Sequence, residues 1–195
     1  MADVSVGERR ALILEAAYET FVSYGFRRTT MDDIAQVVGL SRPALYLHFR
    51  NKPDIFRGLM RSMMEDTLIT VRSCLGRDLP LSERLFLALE EGIVAPQRKI
   101  LATAHGAELF DTSHEFGADL FLDWMKAVET EIALTLDRAA SDKIITIPPG
   151  LSADIVASLL IDAVEGMKCR RQDMEEVDET VRNMLTLVLG TLLIH

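Results

Sequence analysis

The sequence predicts an all-α protein: a small N-terminal three-helix unit containing a helix-turn-helix, then a larger helical domain. Three observations predict it. Apolar residues recur at three- and four-residue spacing along most of the 195 residues, enough for about nine helices. Only 6 prolines and 11 glycines interrupt them, which favours helices over other classes. Within the first sixty residues, capping and stop signals follow one another at helix-turn-helix spacing.

Residues 1–6 are expected as a frayed tail. The first helix is expected over 7–24, with Ile13, Ala17, Phe21 and Tyr24 on one stripe, and Gly25 ends it. Thr30 and Asp33 have the T-x-x-D form of a capping box, so a second helix should begin at Met31. Ile34, Val37 and Val38 give it an apolar face. Gly39 stops it, because glycine takes the left-handed conformation without steric cost. Leu40 plugs the turn. Ser41 caps a third helix, and Pro43 is tolerated in that helix's first turn, where backbone donors have no intrahelical partner. Leu45 and Phe49 point to the core. Asn51 and Asp54 cap a fourth helix over 52–74, which Gly76 closes; Ile55, Leu59, Met63, Leu68 and Val71 mark its apolar side. Further helices are expected over 80–96, 97–110, from a Thr112 or Ser113 cap towards 140, 154–170 and 176–194. Pro96 should break or kink the chain, 143–152 reads as a loop, and 171–176 as a polar turn.

A helix, a short glycine-containing turn and a second helix form the geometry in which the second helix enters a DNA major groove. Arg42, Pro43, Ala44, Tyr46, Leu47 and His48 are left facing outward. Arg42 can donate two hydrogen bonds to a guanine edge. Pro43, Ala44 and the Tyr46 ring can pack on thymine methyls. Thr29, Thr30, Tyr46, His48 and Lys52 are expected at phosphates, which fix register without reading sequence. The net charge of −9 looks wrong for such a partner, but it is unevenly spread. Residues 1–60 carry eight Lys/Arg and seven Asp/Glu, and residues 25–57 carry six and three. The local face decides phosphate binding.

Thr30, Ile34, Ala35, Gly39, Leu40, Ser41, Tyr46, His48, Phe49 and Lys52 stand in one register. This stretch resembles the DNA-binding motif of the TetR/AcrR transcriptional regulators, whose pattern is T…IA…G-V-S…Y-x-H-F…K. Val38 replaces a usual alanine and Ile55 a usual leucine, both keeping apolar character. The resemblance covers roughly the first third of the chain. It implies a helix-turn-helix DNA-binding domain over 1–52 and a helical ligand-binding and dimerisation domain over 53–195. It implies a repressor that leaves a double-stranded, palindromic DNA operator when a small-molecule effector tilts the fourth helix and changes the spacing of the two reading helices. The DNA-binding set is then Thr29, Thr30, Ser41, Arg42, Pro43, Ala44, Tyr46, His48 and Lys52. An effector cavity would be lined by His105, Glu108, Phe110, Phe121, Trp124 and Met125, an aromatic and methionine surface suited to a lipophilic compound.

The last two helices are apolar on more than one side, whereas a surface helix needs one stripe. Burial against a second copy makes a four-helix bundle, and a two-fold dimer is the commonest symmetric oligomer; the resemblance implies the same interface. Ile155, Leu159 and Ala163, with Leu185, Val188, Leu189 and Leu192, are expected there.

Other classes find little support. Cys74 and Cys169 make neither a disulfide framework nor a zinc site, which fits a reducing cytosol. His105, Glu108, Asp111 and His114 do not amount to a metal-ligand set, so no cofactor or metal is expected. No G-x-S-x-G, H-E-x-x-H, P-loop or dinucleotide fingerprint is present, so no catalytic residue and no enzyme is expected. Charged residues break up the N-terminal apolar stretch, so no signal peptide is expected, and the apolar run at 184–194 is about half a membrane span. The alternative is a helix-turn-helix-derived protein–protein adaptor without DNA binding. The Arg42, Tyr46, His48 and Lys52 set argues against it.

Overall fold

The computed structural model describes residues 6–170 and 174–192. The expected tail and the turn at 171–176 lie largely outside the described residues, as do Leu193 and His195. Nine α-helices occur among the described residues: α1 (Val6–Tyr24), α2 (Met31–Val38), α3 (Arg42–Tyr46), α4 (Lys52–Leu75), α5 (Leu81–Leu89), α6 (Ala95–Leu101), α7 (Gly106–Ser141), α8 (Ala153–Arg170) and α9 (Met174–Leu192). A π-helical turn, Glu90–Val94, joins α5 to α6. The chain packs as two compact units. The first is the chain up to Met64 together with Lys99–Phe121; the second is Glu65–Arg98 together with the chain from Leu122. This partition by packing differs from a functional boundary at residue 52, because α4 and α7 each contribute residues to both units.

In the first unit, Ile13 and Phe21 of α1, Ile34 of α2, Leu45, Phe49 and Ile55 are fully buried in one core. The expected caps form. Thr30 Oγ1 accepts from Asp33 N, and Asp33 Oδ2 accepts from Thr30 N at 2.8 Å, two orphan donors satisfied reciprocally. Thr30 holds the Asp33 carboxyl below its ordinary range. Gly39 closes α2 at φ 73°, a left-handed conformation that strains other residues. Ser41 Oγ accepts from Ala44 N, and Asn51 Oδ1 accepts from Asp54 N. Tyr24 and Val37, read as core-facing, are instead exposed, because neither stripe extends to the helix ends.

The expected boundaries after residue 80 need correction. Pro96 does not break the chain. Its missing N–H leaves the Gly92 carbonyl without the usual donor, and the helix widens instead, Ala95 N donating to Glu90 O. Helix α6 ends at Leu101, well short of residue 110. Thr112 and Ser113 cap nothing: Thr112 Oγ1 donates to Glu108 O and Ser113 Oγ to Phe110 O, both bonding back within α7. That helix is interrupted only at Gly117, whose backbone is non-helical at φ −141° and ψ 16°.

The second unit closes around α5, the π-helical turn, α8 and α9 with the later parts of α4 and α7. Arg98 Nη2 donates to Asp178 of α9 at 2.6 Å, and Arg98 Nη1 reaches Glu90 in the π-helical turn at 3.3 Å. Here the expected dimer set is corrected. Leu185, Leu189 and Leu192 are 2–3% exposed, packed into this chain's own core, so a partner cannot reach them. On α9, among the described residues, Leu187 is an exposed apolar side chain, with Val188 half-buried. On α8, Ile155 and Leu159 are exposed and Ala163 is half-buried.

Candidate nucleic-acid interface

Helix α3 is short because its N-cap and its end are both fixed. Ser41 opens it, and Arg10 of α1 closes it by donating from Nη1 to His48 O, its guanidinium stacked 4.1 Å from the Phe49 ring centroid. Leu45 and Phe49 are buried and set which way the rest point. Ser41, Arg42, Pro43, Tyr46 and Leu47 are exposed, Leu47 at 86%; Ala44 and His48 are half-buried. Leu47 and Tyr46 thus leave apolar surface exposed at the end of the same short helix as Arg42.

Arg42 is held ready on that face. Its Nη1 donates to Asp32 Oδ2 at 2.9 Å, and its guanidinium lies 5.7 Å from the Tyr46 ring centroid. Tyr46 first and Asp32 second raise its already high pKa, so it is a permanent cation. Asp32 was not singled out by sequence reasoning; its position opposite Arg42 depends on the turn geometry. Arg27, Arg28 and Arg50 are also exposed on this unit and add positive charge. Thr30 is exposed as expected, its hydroxyl donating to Asp33 Oδ2.

Two expected phosphate contacts are corrected. Thr29 is buried, its Oγ1 donating to Gly25 O at 2.7 Å, so its hydroxyl faces inward. Lys52 Nζ donates to three backbone carbonyls, Phe26 O and Thr29 O at 2.6 Å and Arg27 O at 3.3 Å. An ammonium has three donors, and all three tie down the α1–α2 turn. Burial pushes the Lys52 pKa down, with Glu108 and Asp33 opposing.

The expected effector-lining residues are also redistributed. His105, Glu108, Phe110 and Phe121 belong to the first unit, Trp124 and Met125 to the second. Glu108 is not a lining residue: Oε1 accepts from Arg27 N at 2.8 Å, and Oε2 lies 3.6 Å from His105 Nδ1. Both side chains face Gly25, at φ 83°, in the α1–α2 turn. The Phe110 ring meets His114 edge-on at 4.8 Å. Trp124 Nε1 donates to Thr67 Oγ1 at 2.9 Å, and Trp124 and Met125 pack half-buried on the second core.

Residues 13–59 match the family model described as bacterial regulatory proteins, tetR family. A transcriptional repressor of Mycobacterium tuberculosis is 30% identical over 142 residues, covering 69% of this chain and 66% of that protein. The chain belongs to the TetR family. This is a family of regulators and not of enzymes. The HTH-type transcriptional regulator TtgR of Pseudomonas putida is 45% identical over 58 residues, 30% of this chain. The match spans only 28% of TtgR's own length. The TetR fold extends along the whole chain: a TetR transcription regulator from Haloarcula marismortui aligns with TM-score 0.72 at 19% identity, over 96% of this chain and all of that one. SmeT, the repressor of the Stenotrophomonas maltophilia multidrug efflux pump SmeDEF, aligns with TM-score 0.66 at 18% identity, over 95% and 90%. Among the described residues no helix is long and apolar enough to cross a membrane.

Proposed function

We propose that this TetR-family chain is a sequence-specific DNA-binding transcriptional regulator. It reads a two-fold operator as a homodimer and represses until a small-molecule effector releases it. The observation that carries the reading is the face of α3. Arg42, Tyr46 and Leu47 stand in solvent on a turn whose every cap is satisfied, and Asp32 and the Tyr46 ring hold the guanidinium in place. A fixed arginine next to apolar surface suits guanine and thymine edges in a major groove. The exposed arginines and Thr30 supply phosphate contacts.

The homodimer is supported by Ile155, Leu159 and Leu187, which are 44%, 58% and 74% exposed on α8 and α9. For the effector, Trp124 and Met125 remain candidates in the second unit. SmeT has been solved in complex with triclosan, which supports screening small lipophilic compounds. Repression follows the M. tuberculosis relative; a relative from Mycolicibacterium smegmatis, FasR, is an activator, so the sign is read with a promoter reporter. The protein acts in the cytoplasm, where the operator is.

The test is a titration of purified protein on the DNA upstream of its own coding region, at 50 and 200 mM salt. Neutralising several phosphates costs about 10³–10⁵ in affinity over that range. Tight, steeply salt-sensitive binding supports the reading. No binding at low salt to that fragment or to genomic DNA contradicts it and favours a protein adaptor.

A further inference from the structure

We propose that Glu108 is a positioning residue for DNA reading, a latch that holds the α1–α2 turn from which α2 and α3 are suspended. It rests on the proposed DNA-binding function and names a part that function does not require in itself.

Two side chains from outside the turn, Lys52 and Glu108, hold its backbone. Lys52 takes the carbonyls of Phe26, Arg27 and Thr29. Gly25 O accepts from Thr29 Oγ1. The Arg27 amide donates to Glu108 Oε1 at 2.8 Å. The fit is close: a Cβ on Gly25 would stand 2.4 Å from Glu108 Oε2 and 3.1 Å from His105 Nδ1. Gly25 is therefore glycine for two reasons, its positive φ and the carboxylate lying against it. Without Glu108 the Arg27 N–H loses its partner and the half-buried Lys52 ammonium loses the stronger of the two carboxylates, Glu108 and Asp33, that favour its charge.

The segment bearing Glu108 is fastened to the same unit at three further places. Arg57 of α4 donates from both terminal nitrogens to Asp119 at 2.7 Å, and from Nη1 to Phe116 O at 2.6 Å. The Phe116 ring lies 5.6 Å from Phe26, itself in the turn. Gly117 leaves its helical conformation where Met60 presses in; a Cβ there would lie 2.3 Å from Met60 Sδ. Residues 99–121 are thus part of the DNA-reading unit, far along the chain from its helix-turn-helix; Phe116 packs on the ring of Phe26, and Glu108 grips the turn's backbone.

A base contact is lost when α3 shifts by a fraction of an ångström, whereas phosphate contacts tolerate it. Losing one bidentate pair per half-site corresponds to about tenfold or more in operator affinity. The experiment compares the full-length protein with Glu108→Ala, Glu108→Asp and Glu108→Gln. Affinity is measured for the operator and for a scrambled duplex of equal length, each over a salt series, with thermal melting alongside. Asp keeps the charge but is one methylene too short to span Gly25 to the Arg27 amide; Gln keeps an acceptor there. The expected result is a loss of about tenfold or more on the operator for Ala and Asp, with Gln within threefold. Binding to the scrambled duplex and the salt slope stay unchanged. Operator binding within twofold of wild type for folded Glu108→Asp overturns the latch and leaves DNA reading intact. Equal loss on both duplexes also overturns it, since a merely structural residue would act that way. Wild type that binds neither duplex overturns the DNA-binding reading itself, and the latch with it.

Discussion

Replacing Lys52 by methionine separates two roles that a sequence pattern cannot distinguish. Methionine keeps an unbranched stem that can still lie against the Phe26 ring, where the ammonium sits 4.4 Å from the centroid. What is removed is the set of three N–H···O contacts, two at 2.6 Å and one at 3.3 Å. Hydrogen bonds from a charged donor contribute about 1.5–3 kcal/mol each. Two effects reduce that sum: burial of the ammonium already disfavours its charged form, and the turn carbonyls regain some water when it leaves. A net loss of about 2–3 kcal/mol remains, which for a chain of this size lowers the melting temperature by about 4–12 °C. The assay pairs a thermal melt with operator titrations over a salt series. A turn-tying Lys52 gives the lower melting temperature with an unchanged salt slope. A phosphate-binding Lys52 gives an unchanged melting temperature and a slope smaller by about 0.9 per lost contact. The second pattern would refute the role that the geometry assigns to this side chain.

Three other outcomes are expected. Arg42→Ala should relax preference at one base pair per half-site by about 1–3 kcal/mol, read from affinities for the four base variants. Leu189→Ala should cost about 2–5 kcal/mol in a denaturant melt, because the side chain is buried in its own core, whereas Leu159→Asp with Leu187→Asp should halve the sedimentation mass without lowering monomer stability. The Asp119 carboxyl, held down by hydrogen bonds from Arg57, should titrate at about 2 by NMR, and Arg57→Ala should return it towards 3.8. Because the folded pKa is the lower one, stability from this pair is present above about pH 4 and is lost as pH falls towards 2.

The helix-turn-helix was legible because its signals are local. Thr30 with Asp33, Gly39, and Ser41 ahead of Pro43 each satisfy or release backbone groups within four residues, so the chain itself states where α2 and α3 begin and end. The family register in the same stretch had the same origin. Past residue 80 the signals depend on packing. Pro96 reads as a breaker, yet the chain absorbs it through a π-helical turn, with Gly92 seated where a Cβ would meet Val71 at 2.4 Å. Thr112 and Ser113 look like caps but turn their hydroxyls back into α7.

Site residues divide along the same line. Arg42, Tyr46 and the outward face of α3 follow from helical periodicity once Leu45 and Phe49 are placed inside. Lys52 was legible in its register and misread in its role, because its acceptors are carbonyls some 25 residues earlier. Glu108 lies 81 residues from the amide that it accepts from, and nothing in sequence spacing links the two. On α9 the apolar residues are too many for one stripe. Periodicity therefore offered Leu185, Leu189 and Leu192 to a partner when they fill this chain's own core, and left Leu187 unassigned.

The most direct measurement is selection of bound sequences by the intact protein from a random duplex library, followed by a footprint on the winner. The expected result is enrichment of an inverted repeat whose half-sites lie about 34–36 Å apart, centre to centre, with protection on one face of the duplex. A folded protein that enriches no sequence above the starting pool would contradict the account at its centre.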